Sequence, residues 1–202
     1  MKLYGMSESG NCWKAAQILT LTGHAFEAVR VDSNAGGTRT PEFLAINPSA
    51  RVPAIVMDDG TVLMESNAIL LHFAEATDWL PPPRLPRTRV LEWMFFEQYS
   101  HEPYIAVARN VIAWQRQAHL HQARLEECAR KGAQALDVME RRLADHDWLA
   151  GEGPTVADLA LFAYTHCADE GGFDLARWPG VLAWVSRVGD VPGITLLPRP
   201  SH

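Results

Sequence analysis

Cysteine is scarce in this chain: Cys12, Cys128 and Cys167 are three among 202 residues. An odd number at wide spacing excludes a disulfide framework and offers no zinc-ligand pattern. His119 and His121 are two apart, which puts them on different sides of a helix, so no metal site is expected. Long apolar runs are missing as well. No stretch approaches the roughly 18 residues of a membrane helix. The N-terminus has no basic run leading into an apolar segment, so neither a membrane partner nor a secretory signal is expected, and the expected location is the cytoplasm. Positive charge is thin: 24 acidic residues against 18 basic ones leave a net charge of -6, with no Lys/Arg cluster able to neutralise a row of phosphates. Nucleic acid is therefore not an expected partner.

What the chain has is material for a core. Hydrophobic residues make up 48% and charged residues 21%, with seven Trp, which is the composition of a globular protein of one large or two small domains. Four of its thirteen prolines fall in Leu80-Pro-Pro-Pro-Arg-Leu-Pro86. That run predicts a linker at 80–86 that is neither helix nor central strand, between domains at 1–79 and 87–202.

The two halves differ in period. The first reads as a strand at Lys2–Tyr4, a helix from about Cys12 to Leu21 ended by Gly23, and a strand at Phe26–Val31. A helical turn follows at Pro41–Ala45, then two strands, 54–57 and 61–64, around the hairpin signal Asp59-Gly60, and a helix at Ser66–Glu75. This order predicts a small mixed sheet covered by helices. The second half shows no strand. Its pattern predicts one helix at 88–117 bent near Pro103, and a long helix with Leu125, Ala129, Gly132, Leu136, Met139 and Leu143 on one face. Thr155–Tyr164 is apolar nearly all round, with Thr155 and Asp158 spaced as a capping box, which predicts a helix at the centre of a bundle. A last helix is expected at about Pro179–Val188.

Three pieces of the first half carry chemistry. Ser7-Glu-Ser9-Gly-Asn11-Cys12 lies where the first strand meets the first helix, and unpaired N–H groups at a helix start favour an anion, including a thiolate. Ser9 can donate a hydroxyl to it. Ser9 and Cys12 have the spacing of a redox Cys-x-x-Cys, but serine in the first position removes a dithiol cycle, and Cys12 inside the helix reads as a small buried hydrophobe. In Asn47-Pro-Ser-Ala-Arg51-Val52-Pro53, a proline opens a strand, and a cis Val52–Pro53 bond would turn Val52 outward to pair with an extended peptide. In Met64-Glu65-Ser66-Asn67, Glu65 can accept from an ammonium and Ser66 with its helix N-terminus can hold a carboxylate. Together these suit an amino-acid zwitterion.

Ser9-Gly-Asn-Cys12, Asn47-Pro48 with Arg51-Val-Pro53, Glu65-Ser66, and Gly151-Glu-Gly-Pro-Thr-Val-Ala-Asp158 in the second half resemble, in this order, the glutathione transferase superfamily. The resemblance covers nearly the whole chain. It implies an N-terminal thioredoxin-like domain, a C-terminal all-helical bundle domain and a homodimer. It also implies glutathione as co-substrate, conjugated to a small hydrophobic electrophile. Ser9 is the implied catalytic hydroxyl, as in serine-type, theta- or zeta-like classes. Asn11, Cys12, Arg39, Arg51, Val52, Pro53, Glu65 and Ser66 are the implied glutathione contacts. Tyr104, Arg109 and Trp114 are candidates for the electrophile site. Beta-like members use a cysteine in this loop, which leaves a glutathione-dependent reductase or peroxidase, or a non-catalytic module of the same fold, as alternatives.

Overall fold

The computed structural model describes residues 1–200, which form two compact units dividing between Thr77 and Asp78. The first unit is built on a four-stranded mixed sheet of order β2-β1-β3-β4. Strand β1 (Lys2–Gly5) pairs in parallel with β2 (Glu27–Arg30) and antiparallel with β3 (Ala54–Val56), which pairs antiparallel with β4 (Val62–Met64). Parallel pairing of β1 and β2 requires a crossover, and helix α1 (Gly10–Leu21) supplies it. Gly23, at φ 74°, ends that helix, and the Thr22 N–H returns to Ile18 O. The β3–β4 hairpin turns at Asp59-Gly60, where Gly60 takes φ 85° and Asp59 Oδ1 accepts from Thr61 N at 2.8 Å.

Helices α2 (Pro41–Ile46) and α3 (Ser66–Ala74) complete the unit. Pro41 opens α2 at a position whose N–H has no helical partner, and Thr40 caps it. The core lies between the sheet and the α1/α3 pair, where Leu3, Ile18, Ile55, Ile69 and Leu70 are buried.

The second unit is helical: α4 (Arg84–Phe96), α5 (Glu102–Arg109), α6 (Gln122–Leu143), α7 (Val156–Thr165) and α8 (Pro179–Gly189), with short 3-10 turns between them. Trp79 already belongs to it, since its carbonyl accepts from Val156 N at 2.9 Å. Three sequence expectations need correction. Helix α4 starts inside the proline run, because Pro86 falls in its first turn, where a missing N–H costs nothing. The single helix expected at 88–117 is instead interrupted by two five-residue π-helical turns, Glu97–His101 and Asn110–Trp114. The first of these ends just before Pro103, whose ring cannot accept the normal i to i−4 ladder. On α6 the buried face runs through Cys128, Gly132, Ala135, Leu136, Met139 and Leu143, and Ala129 is exposed. The buried face continues by four residues from Gly132 to Cys128 instead of by three to Ala129.

Helix α7 is buried at every position. Thr155 and Asp158 form the capping box, and the Asp158 carboxylate accepts four hydrogen bonds: from Leu149 N, Thr155 N, Thr155 Oγ1 and Trp184 Nε1, at 2.9–3.1 Å. No described helix is long and apolar enough to cross a membrane.

Candidate active site

Ser9 is the N-cap of α1, in extended backbone at φ −86° and ψ 123°. Its Oγ accepts from Cys12 N at 3.3 Å. That bond uses an oxygen lone pair, so the hydroxyl hydrogen is not consumed by it and can be donated. The loop before Ser9 is fixed to β2 by a bidentate pair, with Arg30 Nη1 and Nη2 donating to the two Glu8 oxygens at 3.0 and 2.9 Å. The Arg30 guanidinium holds the Glu8 carboxyl below its ordinary pKa.

Cys12 points the other way. Its side chain is buried, Met6 N donates to Sγ at 3.5 Å, and a Cβ on Gly5 would lie 2.7 Å from Sγ, so glycine is required where the strand passes the thiol. Burial pushes the Cys12 thiol pKa up. It does the same to Cys128 and takes Cys167 to about 12. A protonated, enclosed thiol is a poor nucleophile.

The Val52–Pro53 peptide is cis. Val52 precedes β3 and lies beyond the last β1–β3 pair, Tyr4 with Ala54. The loop that delivers it is organised by the buried Asn47, which donates from Nδ2 to Arg51 O at 2.7 Å and accepts at Oδ1 from Ser49 N and Oγ at 3.0 and 2.7 Å. The Arg51 side chain is exposed, and so is Arg39, in the 3-10 turn Gly37–Arg39.

Glu65 caps α3 at φ 66° and ψ 113°, exposed and without a side-chain capping bond, while Ser66 is buried and donates from Oγ to Asn11 Oδ1 at 3.2 Å. A non-glycine residue in this region costs of order 1–3 kcal/mol, and such outliers concentrate at ligand sites. The starts of α1 and α3 are thus joined across 55 residues of sequence.

In the helical unit, the Tyr104 hydroxyl accepts from Lys131 Nζ at 3.0 Å, and Arg124 and Lys131 lie over its ring at 5.5 and 4.9 Å. Tyr104 lines a cavity of about 270 Å³ with Phe96, Tyr99, Ala135 and Val138. Arg109 and Trp114 belong to another cluster. Arg109, buried, donates from Nε to Glu170 Oε2 at 2.9 Å and from Nη2 to Pro198 O at 3.2 Å, with its guanidinium 5.4 Å from the Trp114 ring centre. A further cavity of about 680 Å³ is lined by Ile112, Arg116, Glu170 and Arg199.

Residues 1–75 match the model of the glutathione S-transferase N-terminal domain, and residues 94–192 match that of the C-terminal domain. The chain belongs to the glutathione S-transferase family. Among similar solved structures, a glutathione S-transferase from Xanthobacter autotrophicus Py2 is 69% identical, with 98% of this chain and 97% of that one covered and a TM-score of 0.96. Glutathione S-transferase 3 of Zea mays is 33% identical over 100% of this chain and 97% of its own. The structure of Ure2p in complex with glutathione is 26% identical, with 95% of each chain covered and a TM-score of 0.84.

Within this transferase the fold brings Asn11 and Ser66 into contact and puts Ser9 two residues before Asn11. It separates Tyr104 from the Arg109–Trp114 cluster. Sequence reasoning missed Lys14, which is 0% exposed and donates from Nζ to Asn67 Oδ1 at 3.4 Å. The available signal was spacing: Lys14 follows Asn11 by three residues and shares its helix face. It also missed Asn47 as the organiser of the Val52 loop.

Proposed function

We propose that the chain is a cytoplasmic, serine-type glutathione transferase that joins the glutathione sulfur to a small hydrophobic electrophile. The carrying observation is the Ser9 hydroxyl, half-buried at the start of α1 with its hydrogen left for a donated bond. In this reading Glu65 takes the γ-glutamyl ammonium and Ser66 its carboxylate at the α3 N-terminus. Val52 pairs with the cysteinyl backbone, and Arg39 and Arg51 provide positive charge for the glycyl carboxylate. Ser9 and the α1 N-terminus then face the sulfur. The thiol proton leaves to solvent; the thiolate lone pair forms the new C–S bond as the leaving group departs with its electron pair, or as an activated double bond accepts the charge.

A free thiol with a pKa of about 8.5 is only a few per cent ionised at neutral pH, and lowering it by about two units takes roughly 2.7 kcal/mol of differential stabilisation. One hydroxyl bond to a thiolate plus a helix N-terminus supplies that order of energy. Ser9→Ala is expected to raise the pKa of bound glutathione and to lower conjugation at neutral pH by about tenfold or more, with glutathione affinity changed less than about twofold. Titration of thiolate absorbance in the complex measures this, and an unshifted pKa removes Ser9 from the reaction.

Two observations bear on the wider reading. The burial of all three thiols speaks for conjugation over disulfide exchange. Phe95 and Tyr99, at 71% and 83% exposure on α4 and the turn after it, offer an aromatic surface that a homodimer would cover. Sedimentation at the mass of one 22.5 kDa chain would reject that dimer.

A further inference from the structure

We propose that Lys14 is a positioning residue for the peptide-binding end of the site: through Asn67 it holds the first turn of α3 so that the backbone N–H groups at Ser66 meet a carboxylate, the Ser66 hydroxyl hydrogen being given to Asn11. The proposal rests on the reading that Glu65 and Ser66 take the γ-glutamyl end of glutathione.

Lys14 lies on α1 with no exposed surface. Removing an ammonium from water costs several kcal/mol, and a buried charge is repaid only when bonded partners surround it. Packing alone would be better served by an apolar residue: Ala15, Ile18, Ile69, Leu70 and Phe73 are buried and apolar on α1 and α3, while Lys14 and Gln17 are buried and polar on α1. Two polar contacts join the N-terminal ends of the helices. Asn11 and Lys14, one turn apart on the same face of α1, reach consecutive residues of α3: Asn11 Oδ1 accepts from Ser66 Oγ, and Lys14 Nζ donates to Asn67 Oδ1.

That seam holds a helix start with little local support. Glu65 sits at φ 66° and makes no side-chain cap, and the first turn of α3 carries no acidic residue. A strained N-cap persists only when its surroundings over-determine it. The Lys14–Asn67 bond supplies one such constraint from outside the helix, and it sets a positive charge beside an N-terminus that already favours an anion. The expected consequence is confined to glutathione binding, because Lys14 has no role in the chemistry at sulfur.

The test compares wild type, Lys14→Met, Lys14→Arg and Asn67→Ala by calorimetric titration with glutathione and by steady-state conjugation of chlorodinitrobenzene. Lys14→Met is expected to raise the glutathione Kd and KM about tenfold, with kcat at saturating glutathione within about twofold and the electrophile KM unchanged. Lys14→Arg, which keeps the charge, recovers most of the loss. In an Asn67→Ala background, Lys14→Met costs much less than in wild type, since its contact to α3 is then already gone. If Lys14→Met does not fold, Asn67→Ala carries the same expectation. A lowered Tm with unchanged glutathione Kd, or additive effects of the Lys14 and Asn67 changes, overturns the role of Lys14. Absence of any glutathione binding by the wild type overturns the underlying reading as well.

Discussion

Ser9 and Cys12 stand three residues apart at one helix start, and burial divides their chemistry. The serine oxygen is half-buried with a hydrogen to donate, whereas the cysteine sulfur is enclosed under β1 against Gly5 and Met6. Cys12→Ala is therefore expected to leave conjugation within about twofold of wild type, while removing a buried sulfur costs about 1 kcal/mol of stability. Parallel assays with chlorodinitrobenzene and with hydroxyethyl disulfide check this; abolished activity in the variant would make Cys12 the nucleophile. Residues whose role is local were legible at this scale. Ser9 and Glu65-Ser66 at helix starts follow from side-chain type and position. Lys14 was not, because a lysine on a helix ordinarily faces water, and its burial is set by tertiary packing.

Helix α7 shows what an element inherits from its own sequence and what it needs from its neighbours. The apolar run and the Thr155/Asp158 spacing announced a buried, capped helix. The spacing said nothing of Leu149 N and Trp184 Nε1, which turn the cap into a four-bond hub tying α7 to α8 and the preceding loop. Burial pushes the Asp158 pKa up, and the donated bonds pull it back. Asp158→Ala strands the N–H donors in the core and is expected to cost about 3 kcal/mol or more; Asp158→Asn, which keeps an acceptor, costs less. Urea unfolding measures both, and a loss below about 1 kcal/mol for the alanine would mean that the hub carries little. The helix predicted at 88–117 failed at the same scale for the opposite reason. The interruption at Glu97–His101 falls next to the bend expected near Pro103, but hydrophobic period does not separate α from π turns, and the second interruption, Asn110–Trp114, has no proline to announce it.

At the scale of the whole molecule, the C-terminal segment is held to the helical unit by a titratable group. His166 Nδ1 lies 2.6 Å from Phe162 O, and its Nε2 lies 3.1 Å from Leu197 N. A carbonyl only accepts and an amide N–H only donates, so the hydrogen is on Nδ1 and Nε2 is bare. Burial lowers the pKa to about 4 from the ordinary 6.5, with Arg109 and Arg199 acting in the same direction and the Phe162 bond and Asp169 opposing. Between those values the unfolded chain binds a proton that the folded chain refuses. The contribution of His166 is therefore complete above pH 6.5 and is lost as pH falls toward about 4. The difference in unfolding free energy between wild type and His166→Gln should shrink across that window; a constant difference would show that the imidazole does not titrate with folding.

By itself, the sequence determined what depends on neighbours a few residues away. These were the strand and helix periods, the Asp59-Gly60 hairpin, the cap at Thr155, and the cis-competent Val52-Pro53 step. Such features rest on backbone sterics and short side-chain bonds, which travel with the local chain. Only the tertiary structure decided that Asn11 meets Ser66, that Lys14 is enclosed, and that Tyr104 and Arg109 serve different clusters. Burial and partnership are set by elements tens of residues apart, and desolvation, not residue type, then settles which groups can react.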